Sequence, residues 1–246
     1  MAAAGIGGRV EGVQAVRAAL AVRRVRVLYV EGSRRDAERW LEEARLAGAT
    51  AKQVETVADL SRTDSHQGLV AKARPIPFAS LESLLAGDSR AAHPALVVLD
   101  HLTDPRNVGA IARSALAAGM TGMVIPRRRS APLSALAFRA SAGALEHLPV
   151  ASVSSVAAAA HRASGAGVWT VGLDASGAEP LFGLGLLAEP VALFVGAEGR
   201  GLGQLVRQRL DLLASIPMAA NTSSLNAGVA AALACFEVRR VRRGDR

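Results

Sequence analysis

Four runs of nearly continuous apolar residues, "ALVVLD" from Ala95, "GMVIP" from Gly122, "VWTVGL" from Val168 and "VALFVG" from Val191, constrain the fold of this chain more than any other feature. A strand with one wetted face alternates polar and apolar residues, whereas a strand without alternation has to be covered on both faces. Helix-type stretches separate the runs, among them the Ala- and Ser-rich "ASVSSVAAAAHRASGAG" from Ala151. The pattern predicts an α/β domain over residues 94–246, a parallel sheet with helices on both faces.

The beginning of the chain has a different rhythm. "VEGVQAVRAAL" from Val10 has helical spacing and "VRVLYV" from Val25 is strand-like. In "RRDAERWLEEARLAG" Trp40, Leu41 and Ala44 recur at helical intervals before Gly48. A short strand around Val54 and another in "QGLVAKA" complete a small α/β unit over residues 9–75. Between the two units, "RPIPFASLESLLAGDSRAAHP" holds three prolines and a small-residue turn, and residues 76–93 read as a linker with one short helix. A chain of 246 residues has room for both units.

Lys and Arg outnumber Asp and Glu by 29 to 21, and the net charge of +8 favours a polyanionic partner, nucleic acid or an anionic membrane surface. No run approaches the roughly 20 apolar residues that span a bilayer. "LFGLGLLAEPVALFVG" is interrupted by Glu189 and Pro190, and "MAAAGIGG" lacks both the basic and the apolar parts of a secretion signal. The single cysteine, Cys235, lies in an apolar helical pattern and has no intrachain partner, which fits a buried role in a reducing cytoplasm. A metal is not expected.

Ligands of open parallel sheets bind beyond the carboxyl ends of the strands, so the loops leaving those strands carry the functional signal. In "LDHLTDPRNVGAIARSA" the strand Leu96–Leu99 leads to a helix that Asn107 can cap. Gly109 and Arg113 are four residues apart on one helix face, so the missing side chain leaves room for a phosphate or ribose to approach beside the guanidinium. In "LFVGAEGRGLG" a strand ends in four glycines with Glu198 and Arg200 among them. The spacing is neither the G-x-G-x-x-G of dinucleotide enzymes, which disfavours a dehydrogenase, nor a P-loop. In "SIPMAANTSSLNAGVAAALACFEVRRV" a short strand at Ile216 leads through a polar loop to a helix. Leu225, Val229, Leu233 and Phe236 are its expected buried stripe, with Ser223, Ser224 and Asn226 at its start.

Taken in order, "NVGAIAR" at Asn107–Arg113, "VGAEGRGL" at Val195–Leu202 and "IPMAANTSSLNAGVA" at Ile216–Ala230 resemble the three motifs of the SpoU (TrmH-like) RNA ribose 2′-O-methyltransferases of the SPOUT superfamily. "HQGLVAKARP" at His66, "RRRSAPL" at Arg127 and the N-terminal "EGVQAV" are similar to the branch that methylates a guanosine of 23S ribosomal RNA, whose first domain has a ribosomal-protein-like RNA-binding fold. The chain departs from the family in having Gly228 where Ser is common.

The resemblance implies a trefoil-knotted domain that forms a homodimer and uses S-adenosylmethionine, held by Leu173, Val195, Gly196, Ile216, Met218 and Leu225. It assigns catalytic roles to Asn107, Arg113, Glu198, Ser224 and Asn226, with Arg113 holding the phosphate beside the target ribose. RNA contacts fall to Arg34, Arg35, His66, Arg127, Arg128 and Arg129. With 3% aromatic residues there is little material for base-stacking platforms, so recognition of a folded RNA through its backbone is expected. The alternatives are the same reaction on another rRNA nucleotide, as in antibiotic resistance, or on tRNA, and, in another class, a non-catalytic RNA-binding ribosome-assembly factor.

Overall fold

The computed structural model describes residues 5–87, 93–219 and 224–244. The first sheet contains β1 (Arg9–Glu11), β2 (Val25–Glu31), β3 (Thr50–Val54) and β4 (Leu69–Ala73) in the order β1-β4-β2-β3. β4 runs antiparallel to β1 and β2, while β3 is parallel to β2. Helices α1 (Val13–Ala21) and α2 (Ala37–Leu46) belong to this unit. Trp40, Leu41 and Ala44 form the buried face of α2, as their spacing predicts. The three-residue β1 was not legible as a strand.

The linker is not a free tether. It contains α3 (Leu81–Ala86), whose N-cap Ser80 accepts a hydrogen bond from the Ser83 amide at 3.0 Å and whose Leu81, Leu84 and Leu85 are buried. Just before it, the Ala79 amide donates to Val150 O at 2.8 Å, which lays the segment along the edge of the second sheet.

Among the described residues that sheet has seven strands: β5 (Ala95–Leu99), β6 (Gly122–Pro126), β7 (Val150–Val153), β8 (Trp169–Leu173), β9 (Glu179–Pro180), β10 (Val191–Val195) and β11 (Leu212–Ser215). Their order is β7-β6-β5-β10-β8-β11-β9 and every ladder is parallel. Every residue of β5, β6 and β10 is buried, which is the two-sided covering that their unbroken apolar runs demand. β11 stops at Ser215, so Ile216 is the first residue of the loop and not part of a strand. Helices α4 (Pro105–Ala118), α5 (Ala135–Ala140), α6 (Val156–Gly165), α7 (Gln204–Arg207) and α8 (Ala227–Arg243) complete the domain. From β5 the chain proceeds outward through β6 to β7, then crosses to build β8 and β10 on the other side. The carboxyl ends of β5 and β10 therefore flank a switch point of strand order, where α/β sheets form their crevice.

The buried face of α8 differs from the expected stripe. Small residues, Ala227, Gly228, Ala231, Ala234 and Cys235, face inward with Val238. Val229, Leu233 and Phe236 are 48%, 37% and 48% exposed, and Leu225 precedes the helix. Small side chains let α8 approach α4 closely, which pushes the bulky set to the far side. Burial raises the Cys235 thiol to about 12, consistent with a packing role.

The two units are joined by a buried ion pair. Arg24, between α1 and β2, reaches Glu146 beyond α5, with Nη2 to Oε1 at 2.5 Å and side-chain exposures of 8% and 0%. The same guanidinium donates to Arg74 O at 2.8 Å and lies 5.5 Å from the centre of the Phe138 ring on α5.

Candidate active site

Helix α4 starts earlier than its sequence suggests. Asp104 is the N-cap, accepting from the Arg106 amide at 2.8 Å, and Pro105 occupies the first turn, where its missing N–H costs nothing. Asn107 is therefore inside the helix and does not cap it. Its side chain instead donates to Glu198 Oε1 at 2.8 Å. Gly109 is buried against α5, where a Cβ would lie 2.4 Å from Ala137 O and 2.6 Å from the Ala140 Cβ. The glycine makes room for a helix and not for a ligand, which corrects the expected role of its face. Arg113 is exposed and has no hydrogen-bond or ion-pair partner among the described residues.

Asn226 is the N-cap of α8. Its Oδ1 accepts from the amides of Gly228 at 2.8 Å and Val229 at 3.2 Å. Its Nδ2 donates to Glu198 Oε1 and, at 3.2 Å, to Asn107 Oδ1. One carboxylate oxygen thus gathers two amides, and residues from α4, the loop after β10 and the start of α8 meet at one point. At Gly228 a Cβ would stand 3.0 Å from Asn226 Oδ1 and 3.7 Å from Asn107 Oδ1, so a serine there would add its hydroxyl beside the same amides.

The glycine loop is closed on itself and tied to the sheet. Ala197 and Gly201 exchange backbone hydrogen bonds at 3.2 and 2.8 Å. A Cβ at Gly196 would come within 2.1 Å of Gly201 C, so only glycine fits the crossing. The buried carboxylate of Asp100, at the end of β5, accepts from Gly203 N at 2.8 Å and from His101 Nδ1 at 2.6 Å. Asp100 was not singled out in the sequence, although its place at a strand end was a signal.

Beneath this loop is a cavity of about 330 Å³, a size typical of small-molecule and cofactor sites. All six residues expected to hold the cofactor, Leu173, Val195, Gly196, Ile216, Met218 and Leu225, line it, together with Glu198 and Ser224. Apolar side chains and bare backbone at Gly196, Gly199 and Gly201 suit a planar heterocycle, so the residues present fit the adenine of a nucleoside cofactor. Two further lining residues went unrecognised, Asp174 just after β8 and Arg207 on α7, which pair at 2.5 Å. Burial draws the Asp174 carboxyl upward, but hydrogen bonds from Ser176 and the charge and hydrogen bond of Arg207 outweigh it and hold it below the usual carboxylate range. Asn107, Asn226 and Arg113 do not line the cavity; the first two sit at its edge through Glu198. Ser223 lies outside the described residues.

The expected RNA contacts have different fates. Arg35 and the Arg127–Arg129 run are exposed. Arg34 is largely occupied within its own domain, donating to Gln67 O and pairing with Asp36 at 2.7 Å. His66 is half-buried and its Nδ1 accepts from the Gly68 amide at 3.0 Å, which makes it part of the turn before β4.

Residues 94–236 match the SpoU rRNA methylase family, and residues 9–79 match the substrate-binding domain of RNA 2′-O ribose methyltransferases. YacO of Bacillus subtilis, assigned to the TrmH family of tRNA/rRNA methyltransferases, is 40% identical over 209 residues, covering 84% of this chain and 83% of its own. An uncharacterized tRNA/rRNA methyltransferase of Mycolicibacterium vanbaalenii is 45% identical over 182 residues, 72% of this chain but 57% of its own length. Among solved structures, the SpoU methyltransferase AviRb of Streptomyces viridochromogenes in complex with S-adenosylmethionine superposes with a TM-score of 0.78 at 29% identity, covering 97% and 91% of the two chains. The match of both domains, the likeness to AviRb and the meeting of the three motifs at Glu198 lead to one conclusion: the chain belongs to the SpoU (TrmH-like) family of RNA methyltransferases.

Proposed function

We propose that this protein transfers a methyl group from S-adenosylmethionine to a ribose 2′-hydroxyl of RNA, with a guanosine of 23S rRNA as the first substrate to test. The observation that carries the reading is the junction of Asn107, Glu198 and Asn226 at the edge of a nucleoside-sized cavity. Residues 9–75 bind the RNA, 76–93 connect, and 94–246 hold the cofactor and the chemistry. The match of the first unit to a 2′-O ribose substrate-binding domain favours ribose over base as the target.

When bound, the cofactor supplies an electrophilic sulfonium methyl group. Leu173, Val195, Ile216, Met218 and Leu225 would hold its adenine, with the backbone at Gly196 offering polar groups to it. An unactivated hydroxyl is a weak nucleophile, so the chain has to align it and stabilise the oxyanion that forms as its proton leaves. Arg113, without a partner among the described residues, holds the neighbouring phosphate and stabilises that charge; a guanidinium is too weak a base to take the proton, which passes to an oxygen of that phosphate. Glu198, held by two amides, fixes the loop geometry, and Ser224 positions the ribose. Arg35 and Arg127–Arg129 contact RNA phosphates, while Arg34 and His66 shape the domain that presents them.

The protein acts as a cytoplasmic homodimer with a trefoil knot in its second domain. The exposed apolar stripe Val229, Leu233 and Phe236 on α8 is the surface on which a second copy packs. Two measurements test this function. Calorimetry is expected to give a binding heat with S-adenosylmethionine, and its absence would leave only an RNA-binding role. Mapping of ribose methylation in rRNA and tRNA from cells with and without the protein is expected to show one 2′-O-methyl mark that disappears, and unchanged maps would refute the activity.

A further inference from the structure

A second cavity, of about 710 Å³, lies at the boundary between the two domains, away from the cofactor cavity, and shares no lining residue with it. Arg9 and Arg62 reach it from the first domain and Arg139 from α5 of the second, flanked by Thr63, Ser65 and Ser134. One carboxylate, Asp64, also lines it, so three guanidinium groups face a single acid. We propose that this groove is a binding site for the phosphodiester backbone of RNA, gripping the substrate from both domains at once.

Three observations carry the proposal. First, the cations are available. The Arg62 side chain has no partner among the described residues, and Arg139 Nη1 is buried with no hydrogen-bond acceptor. A buried charged donor without an acceptor is costly in a folded protein, and an anionic oxygen in the groove that the Arg139 guanidinium turned to meet would remove that cost. Arg9 is partly committed, since it donates to Leu60 O.

Second, the loop that presents Arg62 is organised in advance. Glu11, fully buried, accepts from Ser61 Oγ at 2.8 Å, from the Arg62 amide at 2.9 Å and from Thr63 Oγ1 at 2.7 Å. Third, the two walls are held in register by the Arg24–Glu146 pair and by Gly7, where a Cβ would lie 2.4 Å from the Phe138 ring. The groove is therefore set by the folded chain and needs no domain movement to form. Three arginines and adjacent hydroxyls around a space of about 710 Å³ suit successive phosphates better than a compact apolar ligand. None of Arg34, Arg35, His66 or Arg127–Arg129 lines it, so the groove adds contacts at the domain boundary to those the sequence indicates.

The proposal rests on the reading of the chain as an RNA methyltransferase, and its test separates the two. Binding of a fluorescein-labelled RNA hairpin of mixed sequence is followed by anisotropy across a potassium chloride titration, for the intact protein and for Arg62→Gln and the double variant Arg62→Gln/Arg139→Gln. Calorimetry with S-adenosylmethionine and a thermal melt accompany each protein. The double variant is expected to bind RNA about tenfold more weakly, with the salt slope reduced by about 1.5, while the cofactor heat is unchanged. Arg62→Gln, an exposed position that cannot unfold the domain, is expected to show about half of the change in slope. If both variants keep the parent affinity and slope, the groove is not the site, and the RNA reading stands without it. If the intact protein itself binds no RNA, the reading falls and the proposal with it.

Discussion

Replacing Asn226 separates two tasks that one side chain performs. Its Oδ1 caps a 17-residue helix through the Gly228 and Val229 amides, while its Nδ2 tethers Glu198 and Asn107. Asn226→Ala removes both. Loss of the cap alone costs about 1 kcal/mol, which lowers Tm by about 2–4 °C in a chain of this size. Asn226→Asp keeps the acceptor and adds a negative charge at a helix N-terminus, worth about 0.3–1 kcal/mol. The same charge takes the place of the amide that touches Glu198, and once the two carboxylates move apart to about 4 Å in a watery setting the repulsion is about 1 kcal/mol, so the two effects nearly cancel. Asp is therefore expected to melt within about 2 °C of the parent, above Ala. Neither variant can donate to Glu198. With one of its two amide tethers gone, Glu198 is held by Asn107 alone and the loop can shift, and displacements of about 1 Å cost about 10²-fold in rate. Single-turnover transfer of labelled methyl from S-adenosylmethionine to rRNA, with melts of each variant, reads both effects. An Asp variant with the parent rate would refute the tether, and one that melts below Ala would refute the cap.

Other expectations follow from the same geometry. Arg113→Ala is expected to change stability by less than about 0.5 kcal/mol, because the side chain has no partner among the described residues, and to leave cofactor binding intact while methylation falls about 10²–10³-fold. Arg113→Lys recovers little, since an ammonium lacks the planar fork that grips a phosphate, and a near-normal Lys variant would contradict that role. Arg24→Ala strands the fully buried Glu146 carboxylate, and chemical unfolding is expected to show a loss of about 3–5 kcal/mol; a loss below about 1 kcal/mol would mean that the domains are joined some other way. Asp174 is held below its ordinary 3.8, so its pairing stabilises the fold above that value and the contribution vanishes as pH falls through the lower one. The Tm gap between the parent and Asp174→Asn is thus expected to close below about pH 4, and a gap that widened in acid would reverse the assignment.

What the sequence revealed depended on how strongly burial was written into it. β5, β6 and β10 were legible because each is apolar throughout, and β8 because Thr170 alone interrupts its apolar run. β7 is four residues, "VASV", directly after Pro149, and β9 is two, too short for any period to register. α8 was recognised as a helix but turned the wrong way, because apolar residues lie on both faces and hydrophobicity alone favours the larger set. The inner face is chosen by closeness to α4, which favours Ala, Gly and Cys, and spacing carries no trace of that contact. Asn107 was read as a cap although Asp104–Pro105 is the stronger start signal. The cavity-lining residues of the second and third motifs were identifiable, whereas Asp174 and Arg207, outside every motif, were not. The junction at Glu198 was not, because its partners are 91 and 28 residues away and only the folded sheet brings them together.

The most direct test of the account is the chemical position of the transferred methyl group. Purified protein is incubated with isotopically labelled S-adenosylmethionine and ribosomal RNA, the RNA is digested to nucleosides, and the label is located by mass spectrometry. The account predicts a single nucleoside carrying the label on its ribose 2′-oxygen, at a yield that collapses in Asn226→Asp. Label on a base, or no transfer from a protein that binds the cofactor, would contradict it.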